Sequence, residues 1–211
     1  MKKKSQYLVV GLGRFGSALA TSLMEQGAQV LAIDLSMEAV EAHRSKLTDV
    51  VCGDAMDEYV LSQLGVSDFS AAIITMGDDV KASSVITMHL KELGVPYIVA
   101  KASDDFHGRM LTRLGADKVI FPERDMGQRI AHNLVSEKIM DFIELSPDYS
   151  LMEMRPRPEW TGVPLRELNL RRKHRINVVA VRSGGEVNAM PDPDSVLKAD
   201  DVMLVVTQSG E

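Results

Sequence analysis

The residues whose types and spacing could do chemistry lie in one short stretch. Gly11, Gly13 and Gly16 stand at G-x-G-x-x-G spacing, after a short apolar run, Tyr7 to Val10. An amphipathic segment, Ala18 to Gln26, follows and can end at Gly27. A second apolar run, Gln29 to Ile33, leads to a carboxylate, Asp34, eighteen residues after Gly16. The chemistry this arrangement offers is binding rather than bond-breaking. Gly11 allows a tight turn, Gly13 has no Cβ to keep a phosphate from the backbone, and Gly16 lets a helix pack close to a strand. The start of that helix presents unpaired N–H groups and the positive end of its dipole to an anion. Asp34 stands where a carboxylate can accept hydrogen bonds from ribose hydroxyls. Strand, turn, helix, strand and acid in register make the motif far more specific than three glycines alone.

Reacting groups are missing from the pattern. His43, His89, His107, His132 and His174 pair with no hydride-transfer motif, and Tyr-x-x-x-Lys, HExxH and G-x-S-x-G signatures are absent. The chain has 211 residues, 45 % apolar, with a formal net charge of −6. That charge argues against a general nucleic-acid binder, which needs a basic face, and no helix-turn-helix suggests itself. One cysteine, Cys52, permits no internal disulfide and fits a reducing compartment. No apolar run approaches the roughly 20 residues that span a bilayer. Met1-Lys2-Lys3-Lys4 followed by Tyr7 to Val10 and Ala18-Leu19-Ala20 imitates a signal peptide, but Arg14 interrupts the apolar region. The N-terminus therefore reads as a buried strand of a cytoplasmic protein.

The elements that must position these residues alternate. Ser36 can cap a helix running to about Lys46. Strands are expected at Asp49–Cys52, Ala71–Thr75, Tyr97–Ala100 and Lys118–Phe121. Helices are expected at about Glu58–Leu64, Val80–Leu93 and Asp105–Leu114. Apolar strands alternating with amphipathic helices predict a doubly wound α/β sheet, parallel and covered on both faces. Six strands in about 120 residues make a Rossmann-type unit, assigned to residues 4–122. Glu123 to Asp141 reads as one further helix. Met126, Ile130 and Leu134 form one apolar stripe, and Ala131, Val135 and Ile139 the next; such a face suits a second chain, with packing on its own domain as the alternative. The remainder, 142–211, carries six prolines and short β-rich runs at Ser150–Arg155, Asn177–Arg182, Glu186–Ala189 and Val202–Thr207. Ser183-Gly184-Gly185 joins two of them as a hairpin, and Leu165 to Lys173 reads as a helix. This is a small α+β module.

Several motifs match a known family. They are Gly11-Leu12-Gly13-Arg14-Phe15-Gly16, Leu90-Lys91-Glu92-Leu93, Gly115-Ala116-Asp117 and Pro122-Glu123-Arg124-Asp125-Met126-Gly127. Asp148-Tyr149-Ser150 and Leu168-Asn169-Leu170-Arg171 continue the match. Across essentially its whole length the chain resembles the RCK proteins, the cytosolic nucleotide-binding regulatory subunits of Ktr/Trk-type potassium uptake systems. The resemblance implies an N-terminal RCK domain, a crossover helix over 123–141 and a C-terminal RCK (TrkA-C) domain. It also implies dimers assembled into octameric rings that dock at the inner face of the membrane on a KtrB/TrkH-like potassium-translocating subunit. ATP and ADP favour different ring shapes in such proteins, and NAD or NADH is the alternative nucleotide.

The resemblance also assigns residues. The arginine inside the glycine motif, here Arg14, reaches the terminal phosphates of ATP. The physics agrees, since guanidinium is a permanent forked donor and a cation at a helix N-terminus is otherwise mildly disfavoured. Glu123 matches the acid that holds a divalent cation, Mg²⁺ or Ca²⁺, at a dimer interface; alone it would simply favour the start of the next helix. Leu35 and Ser36, Asp54 and Ala55, Met76, Gly77 and Asp78, Lys101, Ala102 and Ser103, and His107 match further nucleotide contacts, with a surface helix position as the other reading of His107. Arg171, Asn177 and Pro191 are carried over as contacts to cyclic di-AMP between two C-terminal domains. The rival from another class is an NAD-dependent oxidoreductase, which the glycine motif and Asp34 would serve equally well.

Overall fold

The computed structural model describes residues 5–135, 139–146 and 148–208. The chain divides into two compact units, one ending at Pro122 and the other beginning at Glu123.

The first unit alternates strands and helices: β1 (Gln6–Val10), α1 (Arg14–Glu25), β2 (Gln29–Asp34), α2 (Met37–His43), β3 (Asp49–Cys52) and α3 (Glu58–Gln63). There follow β4 (Ala71–Ile74), α4 (Val80–Glu92), β5 (Ile98–Lys101), α5 (Asp105–Leu114) and β6 (Lys118–Ile120). The strands form one sheet in the order β3-β2-β1-β4-β5-β6, and every pairing is parallel. Successive side chains of a strand point to opposite faces, and the core shows it. Leu8 and Val10 of β1, Ile33 of β2 and Ala72 and Ile74 of β4 join one cluster with Leu61, Ile86, Leu90 and Leu111 from α3, α4 and α5. Val9, Val30, Ala32 and Ile73, from the alternate positions, join a second cluster with Ala20 and Val40 from α1 and α2. Helices therefore cover both faces, and each wholly buried aliphatic side chain contributes about 1.5–3 kcal/mol. This is the Rossmann-type doubly wound sheet expected from the alternation. Its strand order reverses between β1 and β4, which opens a crevice at their carboxyl ends.

The helices begin where short polar side chains can cap them. Ser36 accepts from the Ala39 amide at the start of α2, Asp57 from Tyr59 at α3, Asp79 from Ala82 at α4 and Asp104 from His107 at α5. The exception is α1, whose N-cap, Gly13, provides no side-chain cap.

The second unit contains α6 (Pro122–Val135 as a helix, entering it at Glu123), β7 (Ile139–Ser146), β8 (Tyr149–Met154), α7 (Leu165–Leu168), α8 (Leu170–Lys173), β9 (Asn177–Ser183), β10 (Glu186–Asn188) and β11 (Val202–Gln208). Its sheet is antiparallel, in the order β10-β9-β11-β8-β7. One face of β8 and β11 packs Met152, Met154, Met203 and Val205 against Trp160, Leu168, Leu170, Ile176 and Leu197. Ser183 pairs with Glu186 across the Gly184-Gly185 turn, the hairpin anticipated there.

Two expectations are corrected. The helix read from Glu123 to Asp141 is helical to Val135, and Ile139 to Asp141 belong instead to β7, which pairs with β8 from Ile139↔Met154 to Ser146↔Tyr149. Ile139 therefore leaves the second apolar stripe: ladder bonds to β8 outweigh the helical spacing of one apolar residue. Residues 136–138 lie outside the described residues. The single helix read over Leu165–Lys173 is two short ones, because Asn169 adopts a left-handed conformation, φ +48°, between them.

Candidate functional site

The glycine motif forms the loop between β1 and α1, at the crevice where the strand order reverses. Gly11 has φ +95°, a conformation that suits glycine, and its amide donates to the Ile33 carbonyl of β2 at 2.9 Å. A Cβ on Gly16 would run into the Gly11 carbonyl, so only glycine lets α1 approach the loop this closely. A Cβ on Gly13 would meet nothing within 4 Å, so the loop is open at that point. The first amides of α1 have no partner within the helix and no side-chain cap. An uncapped, exposed helix start beside an open glycine is suited to an anion.

Asp34, at the end of β2, stands beside this loop. One carboxylate oxygen accepts from the Leu12 amide at 2.5 Å and the other from the Ser36 amide at 2.8 Å. The acid thus braces the loop as well as facing the crevice, and each oxygen keeps a lone pair for a ribose hydroxyl. Leu35 is exposed, and Ser36 caps α2. Arg14 opens α1, is exposed and makes no hydrogen bond or ion pair among the described residues. Phe15 is half-buried, and Leu12 is buried.

The other expected contacts sit on the loops after β3, β4 and β5. Asp54 is exposed and accepts from the Met56 amide at 2.8 Å, closing the turn into α3. Ala55 and Ala102 are buried in the core, so a ligand could touch only their backbone. Met76 is half-buried and Asp78 exposed. Gly77 lies under the aliphatic stem of Lys101, whose Cγ would be 2.9 Å from a Cβ there. Lys101 itself is buried.

His107 is not the surface helix residue that one reading made it; it is 1 % exposed. The Ser103 amide donates to its Nδ1 at 3.2 Å, so Nε2 carries the proton and donates to Ser83 Oγ at 3.0 Å. Ser83 Oγ in turn donates to the Asp79 carbonyl at 2.7 Å. The imidazole therefore ties the loop after β5 to the start of α4, and both its ring nitrogens are engaged inside the domain. Burial pushes its pKa below the usual histidine value, with the nearby Asp104 carboxylate opposing. Asp104 is held below the usual carboxylate range, first by the hydrogen bond from the His107 amide.

Glu123 is exposed in the first turn of α6. Among the described residues no group of three or more His, Cys, Asp or Glu side chains is placed to hold a metal ion.

In the second unit, Arg171, Asn177 and Pro191 line a single cavity of about 300 Å³, together with Arg166 and Asn169. Arg166 is paired with Asp194 at 2.7 Å. Arg171 makes no hydrogen bond or ion pair among the described residues. Asn169, the left-handed residue between α7 and α8, brings both short helices to the cavity wall.

Sequence reasoning missed Thr75 and Ser17. The Thr75 hydroxyl lies 3.0 Å from the Val10 carbonyl and 2.9 Å from that of Gly11, and Ser17 Oγ donates to the Leu12 carbonyl at 2.7 Å. The available signal was a hydroxyl ending an otherwise apolar strand.

Strand order, glycine loop and terminal acid together define a Rossmann-type nucleotide-binding domain, here followed by a small antiparallel α+β domain. The TrkA-N domain family matches residues 7–122 and the TrkA-C domain family residues 152–211. Over 203 residues the chain is 39 % identical to the Ktr system potassium uptake protein C of Bacillus subtilis, covering 96 % of this chain and 92 % of that one. It is 34 % identical over 204 residues to the Ktr system potassium uptake protein A of the same organism, covering 97 % and 92 %. The chain therefore belongs to the RCK family of Ktr potassium-uptake regulatory subunits. Among solved structures, the GsuK channel bound to NAD shares the fold, with a TM-score of 0.69 at 18 % identity. That alignment covers 99 % of this chain and 38 % of the channel chain, so the present chain spans well under half of that protein's length.

Proposed function

We propose that this protein binds ATP and ADP at the glycine loop and gates potassium flux through a separate membrane-embedded, KtrB/TrkH-like subunit, without catalysing a reaction. The observation that carries the reading is the uncapped start of α1 at Gly13, open on one side, with Asp34 braced beside it. These groups fit a ribose and a phosphate chain, and the chain's close relatives are potassium uptake proteins. No described helix is long and apolar enough to cross a membrane, so control of flux would act on a partner. Arg14, exposed and without a partner among the described residues, would meet the terminal phosphate and so distinguish ATP from ADP. A ligand shifts a conformational equilibrium only through its differential affinity for the two states, and a contact made by one nucleotide alone supplies that difference.

Dimers built on α6, whose Met126, Ile130 and Leu134 are exposed, would assemble into an octameric ring at the inner face of the membrane. The domain limits proposed for this assembly are 4–122 for nucleotide binding, α6 as the crossover helix, and the antiparallel unit as the C-terminal domain. Mg²⁺ or Ca²⁺ would take one carboxylate from Glu123 and its other oxygens from nucleotide phosphates at an interface between copies. The cavity at Arg171, Asn177 and Pro191 would take cyclic di-AMP, a ligand whose phosphates suit the exposed Arg171.

Calorimetric titration with ATP, ADP, NAD and NADH, followed by reconstitution with the cognate membrane subunit in liposomes, tests the reading. Potassium flux that follows the ATP/ADP ratio is the expected result. Tight binding of NADH alone, with hydride transfer to a small substrate, would favour the oxidoreductase instead.

A further inference from the structure

The glycine loop is held from behind by two hydroxyls that belong to no motif. Three carbonyls run through the loop, those of Val10, Gly11 and Leu12. The Thr75 amide donates to Val10 O at 2.9 Å, and the Thr75 hydroxyl lies between Val10 O and Gly11 O, at 3.0 and 2.9 Å. Thr75 is buried and follows β4, the strand that pairs with β1 through Val10↔Ile74. Its oxygen is also among the neighbours that a Cβ on Gly11 or Gly16 would meet, at 2.8 and 2.7 Å. On the other side, Ser17 Oγ donates to Leu12 O at 2.7 Å, five residues back from its own position.

These bonds matter because carbonyl oxygens repel a phosphate and amides attract it. Held by Thr75 and Ser17, the loop's carbonyls are engaged on the protein side, and the amides that open α1 are left toward the open side at Gly13. The Gly11 and Leu12 amides are already spent on Ile33 and Asp34. The loop's polar groups are thus sorted, with acceptors satisfied inside and donors left for a ligand.

We propose that Thr75 and Ser17 are positioning residues for the phosphate of the bound nucleotide: their hydroxyls hold the loop in its anion-accepting form without touching the ligand. This rests on the nucleotide reading of the glycine loop.

The test measures ADP and adenosine binding to the full chain and to Thr75→Val, Thr75→Ser and Ser17→Ala, with thermal unfolding in parallel. Valine keeps the shape of threonine but removes the donor. Thr75→Val and Ser17→Ala are each expected to weaken ADP about three- to tenfold, the worth of one hydrogen bond. Adenosine, which has no phosphate, stays within about twofold on the same reasoning, and Thr75→Ser restores ADP affinity. Equal losses for ADP and adenosine, or unchanged ADP affinity in both Thr75→Val and Ser17→Ala, would overturn the proposal. If Thr75→Val proves too unstable to measure, the half-buried Ser17→Ala decides the matter by the same ratio. Wild-type protein that binds neither ligand would overturn the nucleotide reading itself, and the proposal with it. Wild-type binding with unaltered variants would overturn the proposal alone.

Discussion

The two units of this chain hold their candidate binding residues in different ways. In the first, the candidate contacts lie at the carboxyl ends of parallel strands, on the loops that leave them or in the first turn of the next helix, because all six strands run the same way. A single rule of topology gathers residues 11, 34, 54, 77 and 103 at one edge. In the second, the strands are antiparallel, and the cavity residues come from two short helices, the start of β9 and the loop after β10. No sheet edge collects them; a left-handed asparagine and the packing of α7 and α8 do. The difference teaches that a parallel sheet makes its site predictable from element order, whereas a small antiparallel unit makes its site from irregular backbone.

The sharpest way to break the comparison is Gly16→Ala. The added methyl would overlap the Gly11 carbonyl, a backbone atom that cannot swing aside. We expect a loss of about 3 kcal/mol or more in stability, with nucleotide binding lost in the same variant. Unaltered unfolding by denaturant would show that α1 need not approach β1 so closely.

His107→Ala comes next, at about 2–3 kcal/mol, because it removes a buried side chain and strands the Ser103 amide and the Ser83 hydroxyl. The same residue predicts a pH dependence. Its folded pKa lies below the ordinary value of 6.5, so near that pH the unfolded chain binds the proton more readily. The stability from neutral His107 is therefore complete above about pH 6.5 and is lost as pH falls below that value toward the depressed native pKa. Thermal melts from pH 7.5 to 5 should show this loss in wild type and a flatter profile in His107→Ala.

Asp34→Ala should weaken nucleotide binding by about 1–3 kcal/mol. It removes ribose acceptors together with the brace on the Leu12 amide. Calorimetry with ADP checks this, and an unchanged affinity would take Asp34 out of the site. The smallest effect sharpens the comparison from the other side. Arg171→Ala should weaken cyclic di-AMP by about 1–2 kcal/mol while ADP affinity is unaltered, since the two proposed sites lie in different compact units. A parallel loss of both ligands would show that the units do not bind independently.

How much was legible in the sequence follows the same division. The order of strands and helices, the glycine turn, the acid that ends β2 and the hairpin at Gly184-Gly185 were all readable, because local spacing decides them. The end of α6 was not. Val135 and Ile139 keep helical spacing, yet Ile139 is drawn into β7 by its ladder with β8, a partner ten or more residues further on. The break at Asn169 escaped as well: asparagine turns left-handed more readily than most residues, but the leucines, arginines and lysine around it favour a continuous helix and masked that sign.

By itself, then, the sequence determined that a glycine turn joins a buried strand to a helix, that a carboxylate stands in register with it, and that a parallel sheet brings both to one edge. Glycine conformation, apolar periodicity and capping side chains act over a few residues, and a few residues suffice to read them. Only the tertiary structure decided which groups hold that turn in place. Thr75 lies more than sixty residues from the carbonyls it binds, and His107 reaches Ser83 across twenty-four. Those bonds exist because β4 pairs with β1 and α5 packs beside α4, and hydrogen bonds between distant segments leave no period in the chain.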